Sequence, residues 1–525
     1  MKTGLQTLAL KALVLDEFRL RSRRIGSLVC VAAVVLLCWL LVADPESGRA
    51  MMVMGKQRLA YQSQALAYGT ALTAGMLMGL AGFYLARGRT QLDLASGMAG
   101  VLASTPVSNA TLLLARWLGA LLYLASLMGA LLLTVWVLHL VRGVGPLEPW
   151  TYVSTYLLVL GPVLMLCASM AVLCDAWAPL MGKRGDLLFF SLWIAQFVAL
   201  PLTMSAEHPR ITAWLVFDIS GMPAHLIRMS ELLNVRSFSL GGSGFDASLA
   251  PVQLHGSFWT LQLLALRLGS ALLALLPLGL AVLLFHRYSP DRVKASSNAA
   301  KQSWLAALQH LLRPLARGVN RLLPLVARLP GLAGQVAAEM VVALSASPLG
   351  VLLGLAALVA GVLSPANRMG SALAATSLLW GILITDIASR DQQAGLLGLG
   401  GAVPGGPRNR YLRQWLASVG LGLLLSLPVL LRLSQDRPML ALALVCGLVF
   451  LGAMASLLGR WTGSGRAWLS LFLFGLYLSV QTPAVEWLDP LGFNGSATLQ
   501  SSASFLAAGL GLLALGLALN QRKQA

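Results

Sequence analysis

Long apolar runs with few charges recur along nearly the whole chain and limit what it can fold into. An α-helix needs about 20 apolar residues to cross a membrane. Of the 525 residues, 57% are hydrophobic and only 11% are charged, whereas a soluble domain carries about 25% charged residues. Lipid can cover this apolar surface, and helices satisfy their own backbone hydrogen bonds there. The sequence therefore predicts an all-α integral membrane protein.

The runs predict about twelve transmembrane helices, six in each half of the chain. Those of the first half are Ile25–Val42, Ala65–Ala86, Leu114–Val141, Thr151–Cys174, Leu187–Met204 and Phe258–Phe285. Those of the second half are Leu349–Leu363, Ser371–Ile387, Leu412–Leu431, Met439–Leu458, Ala467–Val480 and Ala503–Leu519. We expect the first helix of the second half to begin a turn or two earlier, near Val341.

Residues 1–24 precede the first apolar run and mix leucines with charges. They end in the basic cluster Arg21-Ser22-Arg23-Arg24. This pattern is typical of an amphipathic helix at the membrane interface. A cleavable signal peptide is the alternative, although the charged region is long for one. The first six-span half then covers residues 25–287.

Residues 288–340 join the two halves and form a basic linker. Its arginines alternate with leucine pairs, and they are Arg313, Arg317, Arg321 and Arg328. The pattern favours an amphipathic helix on the anionic inner leaflet, with a plain solvated linker as the alternative. The second six-span half covers residues 341–525.

The net charge of +19 is distributed in a way that indicates orientation. Lys and Arg concentrate in the loops on the side of the N-terminus, and acids such as Asp44, Glu148 and Asp246 offset them in the other loops. Loops rich in Lys and Arg stay in the cytoplasm, so we expect both termini there. No basic run is interleaved with base-stacking aromatic residues, which argues against nucleic acid as a partner.

Two interhelical loops match each other without a gap under a shift of 298 residues, from Asp93 to Asp391. The loops run from Leu92 to Leu118 and from Arg390 to Leu416. The other matched pairs are Gly97 with Gly395, Gly100 with Gly398, Pro106 with Pro404, Leu114 with Leu412 and Trp117 with Trp415. Such a match indicates a duplication. Because each half has an even number of spans, the halves should be parallel and pseudo-symmetric.

Motifs for catalysis are missing from the sequence. It contains no GxxxxGK[ST], HExxH or GxSxG, so no phosphate-binding loop, zinc-protease helix or nucleophile elbow is predicted. The five cysteines lie inside apolar runs without a CxxC and read as small hydrophobic residues. We expect neither an enzyme nor a metal site. The methionines of residues 51–54 suit packing better than copper binding.

Ionisable residues inside the membrane are costly and are therefore functional candidates. Arg267 and Gln262 lie in the sixth predicted span, where they could line a translocation path, and a structural hydrogen bond is the alternative for Arg267. His139 is expected at the interface. The scarcity of buried carboxylates argues against an ion-coupled transporter.

Three features, in their order along the chain, resemble the permease subunits of ATP-binding-cassette exporters of the ABC-2 superfamily. The first is LDEFRLRSRR at residues 15–24, before the first span. The second is VLASTP at residues 101–106, followed by LARWLG at residues 114–119. The third is the count of six spans in each half. The second copy departs from the pattern, because the basic cluster is missing around Glu339.

The resemblance implies that the loop after the second span docks on an ATPase. The coupling residues would be Asp93, Gly97, Gly100, Pro106 and Trp117, and in the second copy Asp391, Gly395, Gly398, Pro404 and Trp415. The chain itself would bind no cofactor, because a separate ABC ATPase dimer would bind ATP and Mg. The lipid bilayer and an accessory extracytoplasmic protein would be further partners.

The expected location is the inner membrane of a bacterium, and the expected role is that of an exporter permease. A twelve-span secondary, ion-coupled transporter is the alternative function, and a membrane enzyme is a third. Drug, lipid, peptide and glycan all remain open as substrates.

Overall fold

The fold comes from a computed structural model that describes residues 2–23, 25–44, 46, 48–204, 210–233, 235, 238–254, 258–286, 313–393, 406–463, 465–481 and 486–522. Gly395, Gly398 and Pro404 lie outside these described residues, as does most of the linker before Arg313. The chain divides into two compact units, Met1–Ser297 and Asn298–Ala525.

Helices build most of the first unit. They are α1 (Lys2–Ser22), α2 (Ile25–Leu41), α3 (Ser63–Ala86), α4 (Arg89–Ala95), α5 (Met98–Ser104), α6 (Asn109–Arg142), α7 (Pro149–Ala176), α8 (Lys183–Met204), α9 (Met222–Leu233), α10 (Leu261–Leu273) and α11 (Leu276–Leu284). Short 3-10 helices cover Ala178–Leu180 and Ala213–Phe217. The pair α3 and α7 forms the centre, and α6 packs on both.

A small antiparallel sheet lies beside α9 in the first unit. Its strands are β1 (Arg49–Met54), β2 (Gln57–Arg58) and β3 (Phe238–Gly244), in the order β2-β1-β3. Val53 pairs with Arg58 and with Ser239, and the register shifts between Ala50 and Met52. Met52 and Met54 are buried in an apolar core with Tyr68 and Phe258. The methionine run thus fills a core, as the packing interpretation predicts.

The second unit is also helical in its described part. Its helices are α12 (Arg313–Asn320), α13 (Leu323–Val326), α14 (Gly331–Ser345), α15 (Pro348–Leu363), α16 (Met369–Ile384), α17 (Arg390–Gln393), α18 (Gly406–Asp436), α19 (Pro438–Thr462), α20 (Arg466–Gln481) and α21 (Leu499–Arg522). Short 3-10 helices cover Ala366–Arg368 and Glu486–Leu488. The centre is formed by α18, α19 and α21, which pack on one another.

Seven helices in the described part of the chain are long and apolar enough to cross a membrane, or up to eight if a bent pair counts as one span. The seven are Ser63–Ala86, Asn109–Arg142, Pro149–Ala176, Leu261–Leu284, Arg408–Asp436, Pro438–Thr462 and Leu499–Leu519. The predicted all-α membrane class is confirmed. Helices also form in the other predicted spans, but α2, α16 and α20 have only 17, 16 and 16 residues. Twelve spans and two pseudo-symmetric halves stay predictions.

The bent pair changes one sequence expectation. The span near Leu349–Leu363 does not extend straight back toward Val341, because α14 and α15 meet at 105°. Ser347 caps α15 by accepting a hydrogen bond from the backbone N–H of Gly350, and Pro348 is at the first turn. Proline fits a first helical turn but not a helix interior, so α14 ends and a new helix begins in another direction.

In both units a glycine lets an aromatic ring approach a helix closely. A Cβ added at Gly79 of α3 would overlap the ring of Trp193, and one added at Gly381 of α16 would overlap that of Phe472. The indole N–H of Trp193 donates to the carbonyl of Met76 over 3.3 Å. Close approach at small residues is how helices pack without a hydrophobic driving force in lipid.

Candidate functional site

The predicted first coupling loop forms two short helices, α4 and α5, joined at Gly97. Gly97 has φ +74°, and Gly88 before α4 has φ +97°. Both values favour glycine, since side chains clash in this left-handed region. Four large apolar side chains of this pair are exposed: Leu92, Leu94, Met98 and Val101, the last by 57%. The loop therefore presents an apolar face, although it begins next to buried charges.

Asp93 lies on the opposite side of α4 and is only 1% exposed. Its carboxylate forms an ion pair with Arg116 of α6 and a second with Arg89, with a nitrogen–oxygen distance of 3.1 Å. Arg116 also donates to the Thr90 hydroxyl over 3.1 Å. Asp93 is therefore a buried anchor for α4 and does not face outward as a docking side chain would.

The N-terminal helix α1 contributes to the same cluster. Glu17 forms an ion pair with Arg21 and another with Arg89, the latter at 2.8 Å. Arg21 donates to the carbonyl of Ala86 over 3.0 Å, at the end of α3. Glu17 and Arg21 are both buried. The segment that carries the family resemblance thus packs against the base of α4.

Arg87 extends the cluster toward α7 and α8. It forms an ion pair with Asp186 of α8, and its guanidinium lies 3.7 Å from the carboxylate of Asp175 of α7. Asp175 also accepts hydrogen bonds from the backbone N–H groups of Gly88 and Arg89, both at 2.8 Å. A carboxylate at a helix N-terminus is favourable because of the helix dipole, and here it fixes where α4 begins.

Four arginines and four acids thus meet at the base of α4, and we name them the anchor cluster: Glu17, Arg21, Arg87, Arg89, Asp93, Arg116, Asp175 and Asp186. Their formal charges cancel. Buried charges are tolerated only when they are paired, and each of these groups has an oppositely charged partner within the cluster. Removing one partner of such a buried pair costs about 3–5 kcal/mol. The cluster ties α1, α3, α4, α6, α7 and α8 into one body at this end.

The remaining residues predicted for the first loop occupy different surroundings. Trp117 is buried, and its indole N–H donates to the Ser169 hydroxyl of α7 over 2.9 Å. Gly100 and Pro106 are exposed. The structure therefore places Asp93 and Trp117 in the interior and Gly97, Gly100 and Pro106 on the surface of the loop.

The second predicted loop is described only at its two ends. Asp391 of α17 lies 3.3 Å from Arg410 and accepts a hydrogen bond from the Gln414 amide over 3.1 Å. Glu339 of α14 pairs with Arg413 at 2.9 Å. These pairs are partly exposed, unlike those of Asp93.

Trp415, which matches Trp117, is also fixed to the neighbouring helix. Its indole N–H donates to the carbonyl of Val449 of α19 over 3.4 Å. Each tryptophan thus joins the long helix after its loop to the next helix along the chain.

Arg267 is buried and binds backbone carbonyl groups. Its guanidinium donates to Leu158 and Val159 of α7 and to Ile219, each over 3.0 Å. Gln262 is exposed, and its amide donates to the carbonyl of Ile211 over 2.8 Å. The contacts of Arg267 correspond to the structural alternative, and a translocation path through these two residues stays a prediction.

Two titratable groups lie beside Arg267, in the segment between α8 and α10. Burial raises the pKa of Asp218 to about 6, although the Ser220 hydroxyl and Arg267 act against this. Burial, with Arg267 as the smaller cause, lowers the pKa of His225 to about 3. His225 is therefore neutral at physiological pH. Sequence reasoning missed this cluster, because both residues stand in a segment without a recognisable motif.

Sequence reasoning also missed the anchor cluster as a cluster. From the sequence alone, the positive-inside rule predicts that these arginines are solvated charges in cytoplasmic loops. A signal was present in Asp175 and Asp186, which are acids at the ends of apolar runs on the basic side of the membrane pattern. His139, expected at the interface, is buried and hydrogen-bonds through Nδ1 with the Tyr152 hydroxyl at 3.0 Å.

Among the described residues, no group of three or more His, Cys, Asp or Glu side chains is arranged to hold a metal ion. Comparison of the chain with protein-family models, with curated proteins and with solved structures gives no significant match. Function is therefore inferred from α4 and α5. They combine a base held by the ion pairs of the anchor cluster with an exposed apolar face.

Proposed function

We propose that this chain is the membrane-spanning permease subunit of an ATP-driven exporter of the ABC-2 type, moved by a separate ATPase. The observation that carries the proposal is the contrast within one loop. Asp93 is 1% exposed in the anchor cluster, while Val101 nearby is 57% exposed. A docking element needs both properties, a surface for the partner and a firm attachment that passes motion to the spans.

The exposed face has the chemistry of a protein contact. Leu92, Leu94, Met98 and Val101 are large apolar side chains on two short helices. Protein interfaces place apolar residues such as methionine at their centre and polar residues at the rim. Ser96 and Ser104 lie at the ends of these helices and are exposed. A globular partner can therefore cover the apolar face.

The anchor cluster supplies the attachment. Ion pairs join α4 to α1 and α6, and Arg87, just before α4, pairs with Asp175 of α7 and Asp186 of α8. A displacement of α4 therefore has to move these helices or break buried pairs. Packed elements with two arrangements can convert small displacements into larger rearrangements. ATP-driven closure of a partner dimer would act on the spans through this end of the unit.

The partner would supply the energy source. The sequence has no GxxxxGK[ST] motif, so ATP and Mg would be bound by the ATPase, whose backbone amides cradle the phosphates. In the orientation expected from the Lys and Arg distribution, the loop faces the cytoplasm, where ATP is available. The transported substrate and the role of the second loop remain open within this proposal.

The test uses cysteine crosslinking in the native host. Met98→Cys and Val101→Cys variants are crosslinked in membranes, and the product is analysed by mass spectrometry. We expect a crosslinked protein that carries a GxxxxGK[ST] motif and that gives the purified complex ATPase activity. Val144→Cys, which is 55% exposed in the segment after α6, is the matched control and should give no such product.

Two results would contradict the proposal. One is robust ATPase activity in a preparation that mass spectrometry shows to contain this chain alone. The other is the absence of a crosslink at Met98 and Val101 while transport continues in the same cells. Transport that stops when a proton or sodium gradient is collapsed, with ATP maintained, would instead support the ion-coupled alternative.

A further inference from the structure

The helices α12, α13 and α14 run beside a bend that sets their direction relative to the membrane. The pair α14 and α15 is apolar enough to count as one broken span, and the two helices meet at 105°. Where α15 crosses the bilayer along its normal, the bend of 105° directs α14 along the membrane surface. Both α12 and α13 pack on α14, and α12 also packs on α15. In that arrangement this segment stands at the level of the membrane interface.

Leucines on this segment are exposed. They are Leu322, Leu325, Leu329 and Leu332, between 41% and 56% exposed. Leu322 and Leu325 lie about one turn apart at α13, and Leu329 and Leu332 flank Pro330, where the backbone is extended between α13 and α14. Large apolar side chains exposed in a cluster mark an interaction surface.

Arginines accompany these leucines, and acids are absent. Arg317, Arg321 and Arg328 are exposed and have no ion-pair partner in the part of the chain that the structure describes. The sequence has no Asp or Glu from residue 292 to residue 338. A surface of leucines and unneutralised arginines is complementary to a layer of anionic headgroups above acyl chains.

We propose that this surface binds anionic phospholipid. The guanidinium groups of Arg317, Arg321 and Arg328 hold the headgroup phosphates, and the leucines enter the boundary of the acyl chains. Arginine suits this role because its planar fork binds phosphate oxygens in a bidentate manner. The lipid contact depends on the membrane-embedded fold and does not require an ATPase partner.

Lipid binding at this surface would reach the second loop through α14. Glu339 of α14 pairs with Arg413 at 2.9 Å and approaches Arg390 at 3.9 Å. Arg390 begins α17, which also carries Asp391. A change in how α14 sits on the membrane therefore acts on the residues beside Asp391, so the anionic lipid content would modulate this end of the second unit.

The test is lipid-selective quenching in vesicles. A Leu325→Cys variant of the full chain is labelled with a fluorophore and reconstituted in equal amounts of phosphatidylcholine and phosphatidylglycerol. In one set the phosphatidylglycerol is brominated, and in the other the phosphatidylcholine. The wild-type chain, whose own cysteines are mostly buried, is treated with the same fluorophore to measure the background labelling. We expect stronger quenching by brominated phosphatidylglycerol.

Variants decide whether the arginines cause the preference. In the background of the labelled chain, R317Q/R321Q/R328Q should reduce the preference for phosphatidylglycerol roughly tenfold or more, since each arginine near an anionic surface contributes about fivefold to binding. Replacing the three by lysine keeps the charge without the bidentate geometry and should retain part of the preference. The control K56Q/R210Q/R437Q removes the same charge at other exposed positions and should leave the preference unchanged.

Three outcomes would overturn the proposal. Equal quenching of the labelled Leu325→Cys chain by the two brominated lipids, with the three arginines intact, would mean apolar contact without headgroup selection. Absence of quenching by both would mean that water or another protein covers the surface. A preference that survives in the glutamine triple variant, with the lysine triple variant as the measure of correct folding, would assign it to other residues.

Discussion

The loops at Asp93 and Asp391 start from matching sequence and reach different electrostatic environments. Asp93 is buried against Arg116 and Arg89, whereas the side chain of Asp391 is 20% exposed and pairs with Arg410. Under the shift that aligns the loops, Gln414 stands where the first loop has Arg116. It keeps a hydrogen bond to the aspartate but not the charge. The matching position thus contacts the aspartate in both loops, but only the first loop has a buried ion pair there.

The largest expected difference is in the response to losing the aspartate. Asp93→Asn puts a neutral amide in place of the carboxylate that pairs with the buried Arg116 and with Arg89, and we expect a loss of about 3–5 kcal/mol in the free energy of unfolding. Asp391→Asn should cost about 1 kcal/mol or less, because its ion pair is partly exposed and screened. Urea unfolding in detergent micelles, followed by intrinsic fluorescence, measures both. Equal losses in the two variants would contradict the difference in burial.

Exchanging the residue that contacts each aspartate tests the difference between the two loops directly. Arg116→Gln copies the second loop into the first and should weaken the anchor cluster, since Asp93 then loses its ion pair with Arg116 and keeps the one with Arg89. Gln414→Arg is the reverse exchange. If Arg116→Gln proves as mild as a surface substitution, which usually changes stability by about 0.5 kcal/mol or less, then the cluster does not depend on this pair.

The second expected difference concerns pH. The pKa of Asp218 is raised to about 6 from 3.8, so the folded form binds this proton more tightly than the unfolded form. Stability from this group is therefore full below about pH 4 and decreases by about 3 kcal/mol as pH rises through about 6. Asp218→Asn should remove that decrease. Unfolding midpoints measured across this pH range test it.

Asp489 of the second unit is the matched case. Burial raises its pKa as well, but its carboxylate accepts backbone hydrogen bonds from Phe493 at 3.2 Å and Asn494 at 2.7 Å. These bonds stabilise the charged form, so Asp489→Asn should alter the pH profile less than Asp218→Asn. The opposite order would show that these backbone hydrogen bonds do not offset the burial of Asp489.

A third prediction expects the two units to behave alike. Gly79→Ala and Gly381→Ala each place a methyl group against an aromatic ring, of Trp193 and of Phe472. Overpacking of this kind costs about 1–3 kcal/mol, and we expect similar losses in thermal unfolding. Gly129→Ala has open space around the added group and is the control. A neutral Gly381→Ala beside a costly Gly79→Ala would mean that the second unit repacks freely.

The smallest effect on stability is expected at the proposed docking face. Val101→Glu should change the free energy of unfolding by about 0.5 kcal/mol or less, because the side chain is exposed. It should nevertheless abolish co-purification of the proposed ATPase, since a charge at the apolar centre of an interface loses its hydration there. Ala103→Glu, also exposed at the end of α5, tests how far the contact extends. Unchanged ATPase binding in Val101→Glu would remove this face from the proposed interface.

Particular residues show why part of the site was predictable and part was not. The position of the first loop followed from apolar runs on either side of it, and Gly97 was identified from its match with Gly395. The role of Asp93 could not be predicted in this way, because its partner Arg116 lies 23 residues away on another helix. Glu17, which joins the same cluster through Arg89, belongs to α1. Hydropathy depends on residues that are neighbours in sequence, so it does not show which charged side chains are in contact in the fold.

Composition and residue spacing alone indicate the membrane class and the order of the apolar helices, and they show that no GxxxxGK[ST] motif is present. These properties depend on local composition and on residue spacing, which the chain carries without folding. Only the tertiary structure decided that Asp93 is buried, that α14 and α15 bend by 105° and that Leu322, Leu325 and Leu329 stay exposed. Burial and direction depend on what packs against a residue from distant parts of the chain. The free energy of a charge depends on that environment more than on its neighbours in sequence.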